Sequence, residues 1–145
     1  MTRSSDATVI PPKSILFVCI GNSCRSQMAE AFARQLGGDA VRASSAGSHP
    51  LGWILPDTIA VMAEKGIALD GQRSKGIWEV PIDQMDVVVG MGCEVACPVP
   101  VGFKGRIVEW NIPDPYARDL DFFRQVRDQI EAEVQSLLSS ILTPA

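Results

Sequence analysis

Short unbroken apolar runs alternate along this chain with longer segments whose apolar residues recur at helical spacing. SILFVCI (14–20) is the first such run. It is continuous rather than alternating, as expected of a strand buried on both faces. SQMAEAFARQL (26–36) follows, with Met28, Ala29, Phe32, Ala33 and Leu36 on one helical face and Gly37-Gly38 as a stop. AVRASSAG (40–47) is a weaker strand that runs into a Ser/Gly turn. PDTIAVMAEKG (56–66) predicts a helix opened by Pro56, with Ile59, Met62 and Ala63 inward and Gly66 at its end. MDVVVGM (85–91) and GRIVEWN (105–111) predict two more buried strands. LDFFRQVRDQIEAEVQSLLSSIL (120–142) predicts the longest helix, its stripe formed by Phe123, Val126, Ile130, Val134, Leu137, Leu138 and Ile141.

Alternating short strands and helices imply an α/β fold: a doubly wound, four-stranded parallel sheet with helices on both faces. In such sheets ligands bind outside the C-terminal ends of the strands. CIGNSCRS follows the first strand, GMGCEVACP the third and NIPDPY the fourth. The three unusual segments are thus expected at one edge.

Composition narrows this picture. The chain has 145 residues, 46% of them apolar, enough for one domain with a sizeable core. We expect a single catalytic domain over 14–145, a flexible tail over 1–13, and a monomer. No run approaches the ~20 apolar residues of a membrane span, and the polar start lacks a signal-like stretch, so a cytoplasmic protein without a membrane partner is expected. A net charge of −4 argues against a general nucleic-acid binder, which would carry a basic face. The four cysteines fall into two pairs, Cys19 with Cys24 and Cys93 with Cys97. In a cytosolic chain they read as thiols rather than structural disulfides. Zinc is a possible use of two pairs, but the first pair sits in a phosphate-loop-like turn, and no metal is expected. His49 is the one histidine and reads as a surface-loop residue.

The turn from Cys19 to Ser26 carries the chemistry. Gly21, Asn22 and Ser23, between a strand and a helix, can curl their N–H groups around an oxyanion. Arg25 would close that cup with a bidentate grip. Cys19, at its base, would feel the N–H dipoles, the helix N-terminus and Arg25, all of which favour thiolate, and Ser26 could donate a hydrogen bond to the sulfur. This is a nucleophile aimed at the centre of a bound tetrahedral anion. Cys24 reads either as a backup thiol or as packing. Asp114, between Pro113 and Pro115, sits on stiff, extended backbone suited to holding an acid at fixed reach.

FVCIGNSCRSQMAEAFAR closely resembles the active-site segment of the low-molecular-weight tyrosine phosphatase superfamily, which includes arsenate reductases of the same fold. The resemblance continues through SSAG, GIALDGQRSKG, DVVVGMGCEVACP and EWNIPDPY. It implies a substrate-binding loop of Ile20, Gly21, Asn22, Ser23, Cys24, Arg25 and Ser26, catalytic roles for Cys19 and Arg25, Asp114 as general acid, and Tyr116 at the substrate mouth. Two activities follow from it. As a phosphatase, the protein would hydrolyse phosphotyrosine through a cysteinyl-phosphate. As an arsenate reductase, it would need a second thiol to break a Cys19–arsenic adduct. GQRSK and the Cys93/Cys97 pair, with Cys97 before Pro98, resemble the reductases, and the reductase is the expected branch. Cys93 would then attack Cys19, and Cys97 would resolve the disulfide. The reductant would be external, thioredoxin or a low-molecular-weight thiol, with no tightly bound cofactor. The cysteine spacing is shorter than in thioredoxin-coupled relatives and resembles members that use a small thiol.

Overall fold

The computed structural model describes residues 11–92 and 100–142. Four strands, β1 (Lys13–Cys19), β2 (Val41–Gly47), β3 (Val87–Gly90) and β4 (Arg106–Glu109), form one parallel sheet in the order β2-β1-β3-β4. The α-helices are α1 (Arg25–Gly37), α2 (Pro56–Ala63) and α3 (Leu120–Leu142). β1 begins at Lys13, inside the expected tail; residues 1–10 of that tail lie outside the described residues. Among the described residues, no helix is long and apolar enough to cross a membrane.

β1 is central and buried on both faces because both its alternating sets are apolar. Ile15, Phe17 and Cys19 join Val87 and Val89 against residues of all three α-helices. Leu16 and Val18 join Val88 and Ala46 on the opposite face. That second face is covered more thinly. Ile77 and Ile82, from two single-turn 3-10 helices, pack there with Val80, Met85 and Phe103.

Three expectations change in position. GRIVEWN holds an edge strand: Arg106, Ile107 and Glu109 are exposed and Val108 only partly buried, while Trp110 just beyond packs on Phe17 with ring centroids 5.8 Å apart. α2 buries Thr58, Val61 and Met62, so Ile59 and Ala63 face outward. The helix is turned this way because Thr58 Oγ1 donates to the Ser23 carbonyl at 2.9 Å, which fixes its inner face. Leu36, in the last turn of α1, is exposed, because burial along α1 ends at Ala33.

The chain leaves β1 for β2 on one side and returns to β3 on the other. This reversal opens a crevice at the C-terminal ends of β1 and β3, where Cys19 and Gly90 end their strands. α2 is docked onto α3 by charge. Arg127 donates to the Val61 carbonyl at 3.0 Å and to Glu64 at 2.7 Å, and Arg124 reaches both Glu64 oxygens. These bonds, Arg124 first, hold the Glu64 carboxyl at about 2, below the ordinary carboxylate range. A depressed pKa contributes stability above the unfolded value and loses it as pH falls through the folded one. The melting temperature of Glu64→Gln should therefore lie below that of the parent at about pH 6, and the gap should close between roughly pH 4.5 and 2. A gap that does not change with pH would remove Glu64 from the acid response.

Candidate active site

The loop after β1 is shaped from outside. The Cys19 carbonyl accepts from Ser48 N, Ile20 from His49 N, and Gly21 from Leu51 N and Ser74 Oγ. Asn22 O accepts from Gln27 Nε2, Ser23 O from Leu55 N and Thr58 Oγ1, and Cys24 O from Met28 N. In a trans peptide the carbonyl and the following N–H point in opposite directions. Tying the carbonyls of residues 19–23 outward therefore turns the N–H groups of residues 20–24 inward. One of them, Asn22 N, donates to Cys19 Sγ at 3.3 Å.

This curl has steric conditions. Asn22 adopts a left-handed φ of 50°, which Asn tolerates better than most residues. Gly47, at the end of β2, passes so close that a Cβ there would lie 2.5 Å from Ile20 O. The glycine of SSAG is thus the clearance that the loop needs.

Cys19 lies at the base of a cleft of about 340 Å³. Ile20, Gly21, Ser23, Cys24 and Arg25 line it from the loop, and Asp114 and Tyr116 from the segment after β4. Asn22 and Ser26 sit behind it, fully buried. Ser26 Oγ is 2.9 Å from Cys19 Sγ, and Asn22 Nδ2 donates to the same Oγ at 2.8 Å. An amide N–H can only donate, so Ser26 accepts from Asn22, and its own proton is free for Cys19. Cys24 differs although it shares the loop. Burial pushes its thiol up to about 11, outweighing its hydrogen bonds to Thr58 and Ser23. It stays a thiol at neutral pH and lacks the thiolate that nucleophilic attack requires.

Arg25 is buried at the first position of α1. Its Nη1 donates to Ile112 O at 3.1 Å, and its Nη2 is 3.6 Å from Asp114 Oδ2. Asp114 is about half exposed, and its other oxygen accepts from Tyr116 N at 3.0 Å. The segments after β1 and β4 thus meet at one mouth.

With this geometry, the chain can be set beside known proteins. The sequence profile of the low molecular weight phosphotyrosine protein phosphatase family matches residues 14–143. The chain belongs to that family. It is 38% identical over 130 residues to a glutaredoxin arsenate reductase of Synechocystis, an alignment spanning 89% of this chain and 98% of that one. It is 37% identical to arsenate reductase 1 of Staphylococcus epidermidis, over 86% of this chain and 94% of that protein. Among solved structures, an arsenate reductase in its phosphate-binding state superposes with a TM-score of 0.76 at 36% identity, covering 89% of this chain and 98% of that one. Within the family, these relatives place the chain on the arsenate reductase branch.

The sequence assigns no site role to several contributors here. His49 and Leu51 line the cleft, although His49 reads as a plain loop residue in the sequence. The segment 72–75 clasps the loop after β1: Lys75 N donates to Asn22 Oδ1, and Ser74 Oγ to Gly21 O. Trp53 and Trp78 are exposed. Cys93 and Cys97 lie outside the described residues. The residue before them is described, however. Gly92 has φ +81°, and a Cβ there would lie 2.4 Å from Arg25 Nη1. The glycine after β3 is thus pressed against the guanidinium after β1.

Gly92→Ala should therefore displace Arg25 and weaken inorganic phosphate binding by about tenfold or more, the scale of one lost charge-assisted bond. Calorimetry measures this. Phosphate affinity equal to that of the parent would show that the approach of Gly92 does not govern the Arg25 fork.

Proposed function

We propose that the protein is an arsenate reductase whose nucleophile is Cys19. Arsenate would sit in the cup with its oxygens on the N–H groups of residues 20–24 and two of them on the Arg25 fork. The Cys19 thiolate attacks arsenic and forms a sulfur–arsenic bond. A hydroxyl leaves as water with a proton from Asp114, which acts in its carboxylic acid form at the mouth beside Arg25. The Cys93 thiolate then attacks Cys19 Sγ. The electron pair of the sulfur–arsenic bond stays on arsenic, which departs as arsenite, reduced by two electrons, and a Cys19–Cys93 disulfide forms. Cys97 attacks Cys93, which frees Cys19 and leaves a Cys93–Cys97 disulfide. An external thiol, small or on a protein, supplies the two electrons that reopen it.

The observation that carries this reading is the contact of Gly92 with Arg25. It brings the chain leading into the cysteine pair against the oxyanion loop itself. The arsenate reductase names of its relatives support the same choice. Phosphatase chemistry would share only the first step: Cys19 attacks phosphorus and the alcohol leaves, then water attacks the same phosphorus, and the sulfur–phosphorus bond breaks with its electron pair returning to Cys19 as thiolate. Asp114 and Tyr116 at the mouth favour some hydrolysis of aryl phosphates as a second activity.

Arsenate-dependent oxidation of a thiol reductant, run beside p-nitrophenyl phosphate hydrolysis, tests the assignment. Cys19→Ser should abolish both. Cys93→Ser should stop multiple-turnover reduction and leave hydrolysis nearly intact. Cys97→Ser should trap a Cys19–Cys93 disulfide after one turnover, visible by mass spectrometry of a thiol-blocked digest. If neither of the last two substitutions alters arsenate turnover, the relay is wrong and the adduct passes directly to an external thiol.

A further inference from the structure

Gln27 looks like a polar residue on the first turn of a helix, yet its side chain is fully buried. It lies behind the cleft, and every polar atom of its amide is used. Nε2, with two hydrogens, reaches three acceptors, Asn22 Oδ1 at 3.0 Å, Asn22 O at 3.1 Å and Arg73 O at 2.9 Å, so that one N–H is shared, and Oε1 accepts from Gln72 Nε2 at 2.8 Å. Gln72, in the clasp, also donates to the Gln27 carbonyl at 3.1 Å.

The orientation of each amide is forced by a backbone group with a single hydrogen-bonding role. Lys75 N–H can only donate, so the Asn22 atom facing it at 2.8 Å is Oδ1. The carbonyls of Asn22 and Arg73 can only accept, so the Gln27 atom facing them is Nε2. The Gln27 carbonyl can only accept, so Gln72 presents Nε2. The side chains then form one series with a single sense: Gln72 donates to Gln27, Gln27 to Asn22, Asn22 to Ser26, and Ser26 to Cys19. Hydrogen bonds aligned in this way polarise one another, and the last proton points at sulfur.

We propose that Gln27 is a positioning residue of the reaction: held by the backbone of the clasp at Arg73 and facing the Gln72 amide, it fixes the direction of the hydrogen-bond series so that Ser26 always donates to Cys19. The proposal rests on Cys19 being the nucleophile. It assigns the GQRSK segment a task beyond packing, since the clasp sets the sense of the series at its outer end.

Gln72→Glu and Gln72→Met separate direction from packing. The carboxylate sets acceptor against acceptor at Gln27 Oε1 and Gln27 O. The Gln27 amide must then turn or the clasp must open, and either releases Asn22 and Ser26. Methionine merely removes the outermost donor, and backbone partners still hold Gln27 and Asn22. Thiolate formation is read from ultraviolet absorbance against pH, each variant being compared with the same variant carrying Cys19→Ser. The difference isolates Cys19 from Cys24, Cys93 and Cys97. Arg25, His49, Asp114 and Tyr116, the other ionisable groups lining the cleft, are the same in all samples.

Gln72→Glu should raise the Cys19 midpoint by about one pH unit, and Gln72→Met by a few tenths at most. The uncharged Gln27→Met, which also breaks the series, should raise the midpoint by a similar amount, and this separates a broken series from the charge that Gln72→Glu adds. Equal shifts in the two Gln72 variants, no shift in Gln72→Glu, or an unchanged midpoint in Gln27→Met would overturn the proposal. If Gln72→Glu does not fold, Gln27→Met alone provides the test. None of these readouts uses arsenate. A failed relay of amides is therefore distinguishable from a failed assignment of Cys19, which shows as turnover surviving in Cys19→Ser.

Discussion

The site depends on where the carbonyls of six consecutive residues point. From Cys19 to Cys24 every carbonyl oxygen accepts a hydrogen bond from outside the loop. A buried carbonyl without a partner is costly, so these bonds decide which way each peptide plane faces. With the oxygens satisfied outward, the N–H groups must converge, and the sulfur of Cys19 lies where they meet. The anion site is thus a consequence of backbone accounting. The partners come from residues 48–58, from Ser74, and from Gln27 and Met28, so elements distant in sequence share in building it. Gly47 and Gly92 contribute by lacking a side chain where the loop and Arg25 press closest.

The same constraint divides the labour between two cysteines in one turn. Cys19 faces the N–H side and receives Asn22 N–H and the Ser26 hydroxyl. Cys24 is the residue at which the loop becomes helix α1, and burial dominates its environment, holding it as a thiol. The two positions fit the proposed division: the sulfur at the base of the cup as nucleophile, and a buried thiol in its wall.

Much of this was legible in the chain. The strands and the helix over 120–142 follow from apolar runs and helical spacing, and the parallel sheet follows from their alternation. Cys19 and Arg25 stand out because a strand, a Gly-containing turn and a helix frame them. Position within the sheet was not legible: GRIVEWN has the composition of a buried strand but occupies an edge, since an apolar run does not encode how many neighbours its strand will have. The inner face of α2 was misread because Thr58, a polar residue, is drawn inward by the Ser23 carbonyl. GQRSK resembles the reductases without revealing its task, and Gln27 does not reveal its burial, for a related reason. Polar residues without periodicity look like surface until a segment some 45 positions away supplies their partners.

The central claim is that inward-facing amides and the Arg25 fork form one anion cup around Cys19. The most direct measurement is a titration of the isotopically labelled protein with inorganic phosphate, which binds without being reduced, followed through the backbone amide resonances. The amides of residues 20–25 should show the largest shifts, moving together on a single binding curve, and that curve should weaken sharply in Arg25→Lys, which keeps the charge but loses the planar fork. Shifts centred elsewhere, or a curve unaffected by Arg25→Lys, would contradict the account.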